Sequence, residues 1–226
     1  MKLKKLVAIT LSAVMCMAAL TGCGGKSDSA KKTAKVIEVD LTDEQYAFGV
    51  DKDQPDLLKE VNQFVADMKS DGTFDEICNR YFGDGTPVPV KSAAYDESKD
   101  QLVVATNAAF EPFEYMDGEN YVGIDMEIAK ALADKLGKEL VIQNMDFDAV
   151  CLSVGQHKCD VAMAGLTIKP DREEYVAFSD PYYSASQKLI TLSTDTEFDA
   201  CKTADDVNKI LEAKGSDLKI GFQNGT

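Results

Sequence analysis

The sequence predicts an α/β protein with a mostly parallel sheet flanked by helices, and three observations carry this. From residue 102 onward, short β-branched runs alternate with segments whose apolar residues recur at helical spacing. Each strand-to-helix-to-strand step is long enough for the crossover that joins parallel strands. Ahead of this pattern lie two amphipathic segments whose apolar stripe needs a sheet face to cover.

The first of these, "DQPDLLKEVNQFVADMKSDG", sets Leu57, Leu58, Val61, Phe64, Val65 and Met68 on one helical face, with Pro55 near its start and Gly72 as its stop. The second, "TFDEICNRYFGDG", has Thr73 and Glu76 at capping-box spacing and Gly83 at its end. "PVPVKSAAYDESKD", residues 87–100, reads as a linker. Strand 102–106 then leads to helix 123–136, where Ile128, Ala131, Leu132 and Leu136 share a face. Strand 139–143 leads to helix 147–154, and strand 159–163 to a helix starting near Pro170. Strand 187–192, helix 204–213 and strand 218–222 complete the pattern.

Ligands of such sheets sit beyond the carboxyl ends of the strands. There the chain places "NAAFEPFEY", "MDF" (145–147), "GLT" (165–167) and "NGT" (224–226). These supply aromatic faces (Phe110, Phe147), hydroxyls (Thr167, Thr226), bare backbone (Gly165) and, just beyond, a cation (Arg172). A guanidinium forks onto a carboxylate, rings cover an aliphatic chain and a carbonyl takes an ammonium, so the set suits a small zwitterion. Phe113 and Tyr115 read as core aromatics, whereas strand-end placement favours ligand contact for Phe110 and Phe147. Arg172 has two readings: an anion clamp in the first turn of a helix, or a surface partner of Asp171, Glu173 or Glu174. No nucleophile with a partnering base stands out.

The totals narrow the class further. Lys2, Lys4 and Lys5 precede an uncharged run from Leu6 to Gly22 and the sequence "LTGC", which reads as an export signal. "GGKSDSAKKTAK" after it reads as a flexible tether. Without residues 1–22 the chain keeps 21 basic residues against 39 acidic ones, a net charge of −18. That excess argues against nucleic acid and against charge-driven binding to anionic lipid. His157 is the single histidine, in a polar turn, which rules out a multi-His metal site. No cofactor is expected. Cys78, Cys151, Cys159 and Cys201 contain no C-x-x-C, so zinc and thioredoxin-like readings fail. Cys151 and Cys159 could pair after export or stay separate buried thiols.

"LVVATNAAFEPFEY", "YVGIDMEIAKALADKLG", "MDFDAVCLSVGQHKCDVAMAGLTIKPDREEYVAFSDPYY" and "IGFQNGT" resemble, in order and spacing, the polar-amino-acid solute-binding proteins of ABC importers, and most closely the glutamine-binding kind. "Leu20-Thr21-Gly22-Cys23" is similar to the bacterial lipobox, which implies lipidation of Cys23 and an extracytoplasmic, membrane-anchored receptor. The resemblance implies a bilobal, type II periplasmic-binding-protein fold, an amino-acid ligand, an ABC permease as partner, a monomer and no catalysis. Position by position, it implies that Phe110 and Phe147 sandwich the ligand. Gly165 and Thr167 receive its ammonium and part of its carboxylate, Arg172 clamps that carboxylate, and the Thr226 backbone adds a donor. Asn107 stands where the glutamine-binding members have an aspartate, and Gln223 where they have a lysine, which leaves the amino acid open.

The segment "EQYAFGVDKDQPDLLKEVNQFVADMKSDGTFDEICNRYFGDG" resembles the C-terminal end of these proteins, yet precedes the first strand, as in a circular permutation. The expected organisation is a signal (1–22), a tether (23–35), a hinge-crossing segment (36–45), a contiguous lobe 1 (46–182) and the hinge with the start of lobe 2 (183–226). Lobe 2 is then incomplete in this chain. Two other functions share the fold: an amino-acid-sensing receptor domain, and a cyclohexadienyl-dehydratase-like enzyme, for which Glu111 or Glu114 would be the candidate acid.

Overall fold

A computed structural model describes residues 33–223. In chain order the strands and helices are β1 (Ala34–Val36), β2 (Glu44–Tyr46), β3 (Gly49–Asp51), α1 (Pro55–Ser70), α2 (Thr73–Phe82), β4 (Gln101–Thr106), β5 (Ala109–Phe110), β6 (Glu114–Asp117), β7 (Asn120–Val122), α3 (Ile124–Leu136), β8 (Glu139–Asn144), α4 (Phe147–Gly155), β9 (Val161–Ala162), α5 (Pro170–Glu173), β10 (Val176–Phe178), β11 (Tyr183–Ala185), β12 (Ile190–Leu192) and α6 (Ala204–Lys214). Cys23 and Thr226 lie outside the described residues, as do the signal and most of the tether.

The central sheet runs β10-β3-β9-β4-β8. β4 is parallel to β8 and β9, while β3 is antiparallel to β9 and β10. The parallel part is what the alternating pattern predicts; the antiparallel part comes from residues 49–51, which that pattern does not cover. β4 is buried on both faces because side chains alternate. Leu102 and Val104 join a core with Val61, Met68, Ile128 and Leu132 from α1 and α3, and Val103 and Ala105 join one with Val150 and Val154 from α4. The α1 stripe therefore covers the same sheet that β4 builds.

Two antiparallel runs leave this lobe together. β2 pairs with β11, Leu41 N donates to Gln187 O and Ile37 N to Leu189 O, and β1 pairs with β12. At their far end Ile37, Val39, Phe198 and Val207 form a small separate core with α6.

Several expectations are corrected. Thr73 and Glu76 form no capping box: Gly72 (φ +86) is the N-cap, the Asp71 carboxylate accepts the Thr73 N–H at 2.9 Å, and Glu76 pairs with Arg80 instead. The linker is partly docked, since Val90 is buried and exchanges backbone bonds with Tyr121 while Ala93 N donates to Leu140 O. Residues 218–222 form no strand; a 3-10 turn (Gly215–Asp217) gives way to irregular backbone. The expected 159–163 and 187–192 strands shorten to Val161–Ala162 and Ile190–Leu192. His157 is exposed but not idle: at φ +58 its Nδ1 lies 2.8 Å from the buried Asp51 carboxylate. Cys151 and Cys159 are both buried free thiols, as Cys78 and Cys201 are partly buried ones. No helix among the described residues is long and apolar enough to cross a membrane.

Candidate functional site

A cavity of about 380 Å³ opens where the carboxyl ends of the central strands meet the paired runs. Of the residues singled out from sequence, Phe110, Phe147, Gly165, Thr167, Arg172 and Gln223 line it. Asn107 does not: its Nδ2 donates to Met145 O at 2.7 Å and its Oδ1 accepts from Gln223 Nε2 at 3.1 Å. It holds a lining residue rather than lining the cavity itself.

Arg172 is buried rather than lying out on a solvated surface. Nη1 donates to Thr167 O at 2.8 Å, and the guanidinium lies over the Phe147 ring, 5.1 Å from its centroid. Stacking and the carbonyl fix the plane of the group, so little rotamer entropy remains to be lost when an anion docks. The helix-end argument is weaker than the sequence suggests, because α5 is a single turn. What the cavity presents at this point is the guanidinium itself, on the lining beside Phe147.

Gly165 sits at φ +52 and approaches Phe110 so closely that a Cβ would fall 2.9 Å from Cε1. Only glycine satisfies both constraints. Its N–H donates to Asp125 Oδ2 at 2.9 Å, and Tyr182 OH donates to Asp125 Oδ1 at 2.6 Å, so a buried carboxylate braces the cavity floor. Phe110 stacks on the buried Phe113 at 5.5 Å, and Tyr46 meets Phe113 edge-on at 5.2 Å. The aromatic cluster around Pro112 thus props one wall.

Sequence reasoning missed Glu44, Tyr46 and Gln187, which also line the cavity. Glu44 and Tyr46 belong to β2, with alternate residues buried. That period-two pattern, placing a glutamate on the inward face, is the signal that could have found them.

Glu114 is one of the two candidate acids of the dehydratase-like alternative. It is fully buried, but neither carboxyl oxygen has a partner among the described residues. Burial, reinforced by the Asp125 charge, raises its pKa well above the ordinary range, and burial raises Asp125 to about 6. An acid whose folded pKa is raised contributes stability at low pH that is lost as pH rises through the folded value. The stability these two groups contribute should therefore fall as pH rises from about 4.5 through 6 and above, and Glu114→Gln, which removes one ionisation, should flatten that fall. Urea melts of both proteins between pH 5 and 8 check it; parallel pH profiles would refute the assignment.

A mixed α/β lobe joined by a two-stranded crossing to a second element, with a charged cavity at the strand ends, is a periplasmic-binding-protein-like fold of type II. The chain belongs to the bacterial extracellular solute-binding proteins, family 3, whose pattern matches residues 8–84 and 102–220. The arginine-binding extracellular protein ArtP of Bacillus subtilis is 35% identical over 136 residues, 57% of this chain and 53% of its own length. A cyclohexadienyl dehydratase of Pseudomonas aeruginosa is 31% identical over 127 residues, 54% of this chain and 47% of its own. The solved Gly52Ala mutant of arginine-bound ArgBP from T. maritima is 43% identical, covering 38% of this chain and 41% of that one, with a TM-score of 0.37. The chain spans about half the length of the curated relatives it matches.

Proposed function

We propose that the protein captures a polar amino acid outside the cytoplasmic membrane and delivers it to an ABC permease. The observation that carries this reading is Arg172, a buried guanidinium held flat by Thr167 O and Phe147 on a cavity sized for a small molecule. In this reading Arg172 takes the ligand carboxylate, Phe110 and Phe147 cover its side chain, and Gly165 and Thr167 contact its head group, with Thr226 adding a donor. Glutamine is the amino acid suggested by the sequence resemblance, while arginine appears in the names of several relatives. Arginine is therefore the first ligand to test and glutamine the neutral comparison. Calorimetric titration of the full chain with both, and with the remaining amino acids, tests the reading; binding of none would overturn it.

The dehydratase relative raises catalysis as a second reading. Neither Glu111 nor Glu114, the acids considered for it, lines the Arg172 cavity, so the binding reading is preferred.

The proposal extends to attachment and chain order. "LTGC" supports lipidation of Cys23, and Cys23→Ser should shift the protein from the membrane fraction to the medium; retention would refute the anchor. The position of β3 between β9 and β10, together with two separate blocks of family match, supports a circular permutation in which residues 46–83 finish lobe 1.

A further inference from the structure

We infer that Glu44 is a second charged subsite of this cavity, receiving a cationic group of the ligand. Glu44 is 8% exposed and lines the same cavity as Arg172. Its carboxylate accepts from Thr42 Oγ1 (2.9 Å) and Gln187 Nε2 (2.8 Å) on Oε1, and from Thr167 Oγ1 (2.7 Å) on Oε2. All three donors are neutral, and no ion pair reaches Glu44 among the described residues. The other buried carboxylates differ: Glu127 pairs with Arg80 and Asp51 with His157, while Asp125 and Glu114 do not line this cavity.

A carboxylate offers roughly four acceptor positions, so three donors leave about one, on Oε2, for a further N–H. A desolvated anion with neutral neighbours favours a cation there far more than a surface acid would. Thr167 connects the two charges, its hydroxyl on Glu44 and its carbonyl under Arg172. A bipolar molecule can thus set its carboxylate on Arg172 and an ammonium or guanidinium on Glu44. Two sources offer that cation: the α-ammonium of any amino acid, or the side chain of a basic one.

This inference rests on the amino-acid reading above, and the test separates the two. The full chain and Glu44→Gln are titrated by calorimetry with arginine and with glutamine, after thermal melting confirms that both are folded. Loss of at least about tenfold for both ligands assigns the α-ammonium to Glu44; loss for arginine alone assigns the side-chain cation. Unchanged affinity for both overturns the subsite while leaving amino-acid capture intact, whereas a wild-type chain that binds neither ligand removes the reading beneath it. Should Glu44→Gln fail to fold, Glu44→Asp carries the same titrations. It keeps the charge but draws it back by one methylene, so weakened binding supports the subsite and unchanged binding overturns it.

Discussion

Replacing Phe48 with alanine is expected to destabilise the protein by about 3–5 kcal/mol, the range for emptying a fully buried aromatic site. Phe48 is 0% exposed and stacks on Tyr182 at 4.4 Å with 10° between the rings. Its backbone is locked as well, since Phe48 N donates to Ser179 Oγ at 3.0 Å and Ser179 N to Phe48 O at 2.9 Å. Collapse around the vacancy is limited, because β3 immediately follows and is hydrogen-bonded on both edges. Urea denaturation should show a lower midpoint with an unchanged slope, the mark of lost stability rather than a changed denatured state. A cost below about 1 kcal/mol would mean that residues 44–51 lie loosely on the lobe. It would also remove the main physical support for counting 46–83 as part of lobe 1.

What the sequence made legible follows from which signals are local. α1, α3 and α4 carry apolar residues at helical spacing and punctuation by Pro or Gly, and their observed bounds fall within two residues of those read from the chain. β4 and β8 are continuous apolar runs because helices cover both faces, so they too can be read without knowing their partners. β1, β2 and β3 have three residues each and exist only through partners more than a hundred positions away. No window of local sequence holds that information. Strand 218–222 fails for the converse reason, since a run with strand composition needs a neighbour to pair with.

The candidate site divides along the same line. Phe110, Phe147, Gly165, Thr167 and Arg172 follow or precede local elements, so a rule about strand ends gathers them onto one cavity. Glu44 and Gln187 come from the two crossing runs, which only the tertiary pairing of β2 with β11 brings to the cavity. Asn107 sits at the right strand end but spends its amide on Met145 O and Gln223. The position was legible and the direction of the side chain was not.

Arg172→Ala is expected to weaken amino-acid binding by about 2–5 kcal/mol, the scale for truncating one partner of a buried charge pair. That corresponds to roughly thirtyfold to several thousandfold in Kd. Two contributions make the loss large. The ligand carboxylate loses a charge-assisted, bidentate partner, and it does so beside a buried side chain, where the lower local dielectric strengthens each such bond. The fold should survive, because Arg172 sits at the cavity wall, where its contacts include Thr167 O and the Phe147 ring, and neither hydrophobic core of the sheet is built on it. Arg172→Lys distinguishes charge from shape: a lysine restores the positive charge but neither the fork nor the planar stack, so it should recover only part of the affinity. Thermal melting supplies an independent readout, since a ligand that binds only the folded state raises Tm by an amount that grows with the logarithm of its concentration over Kd. Saturating ligand should raise the Tm of the wild-type chain by several degrees and leave that of Arg172→Ala nearly unmoved at the same concentration. Equal affinity in a folded Arg172→Ala protein would place the ligand carboxylate elsewhere. With it would go the bipolar pairing of Arg172 and Glu44 across Thr167, because the two charges would then no longer belong to one ligand.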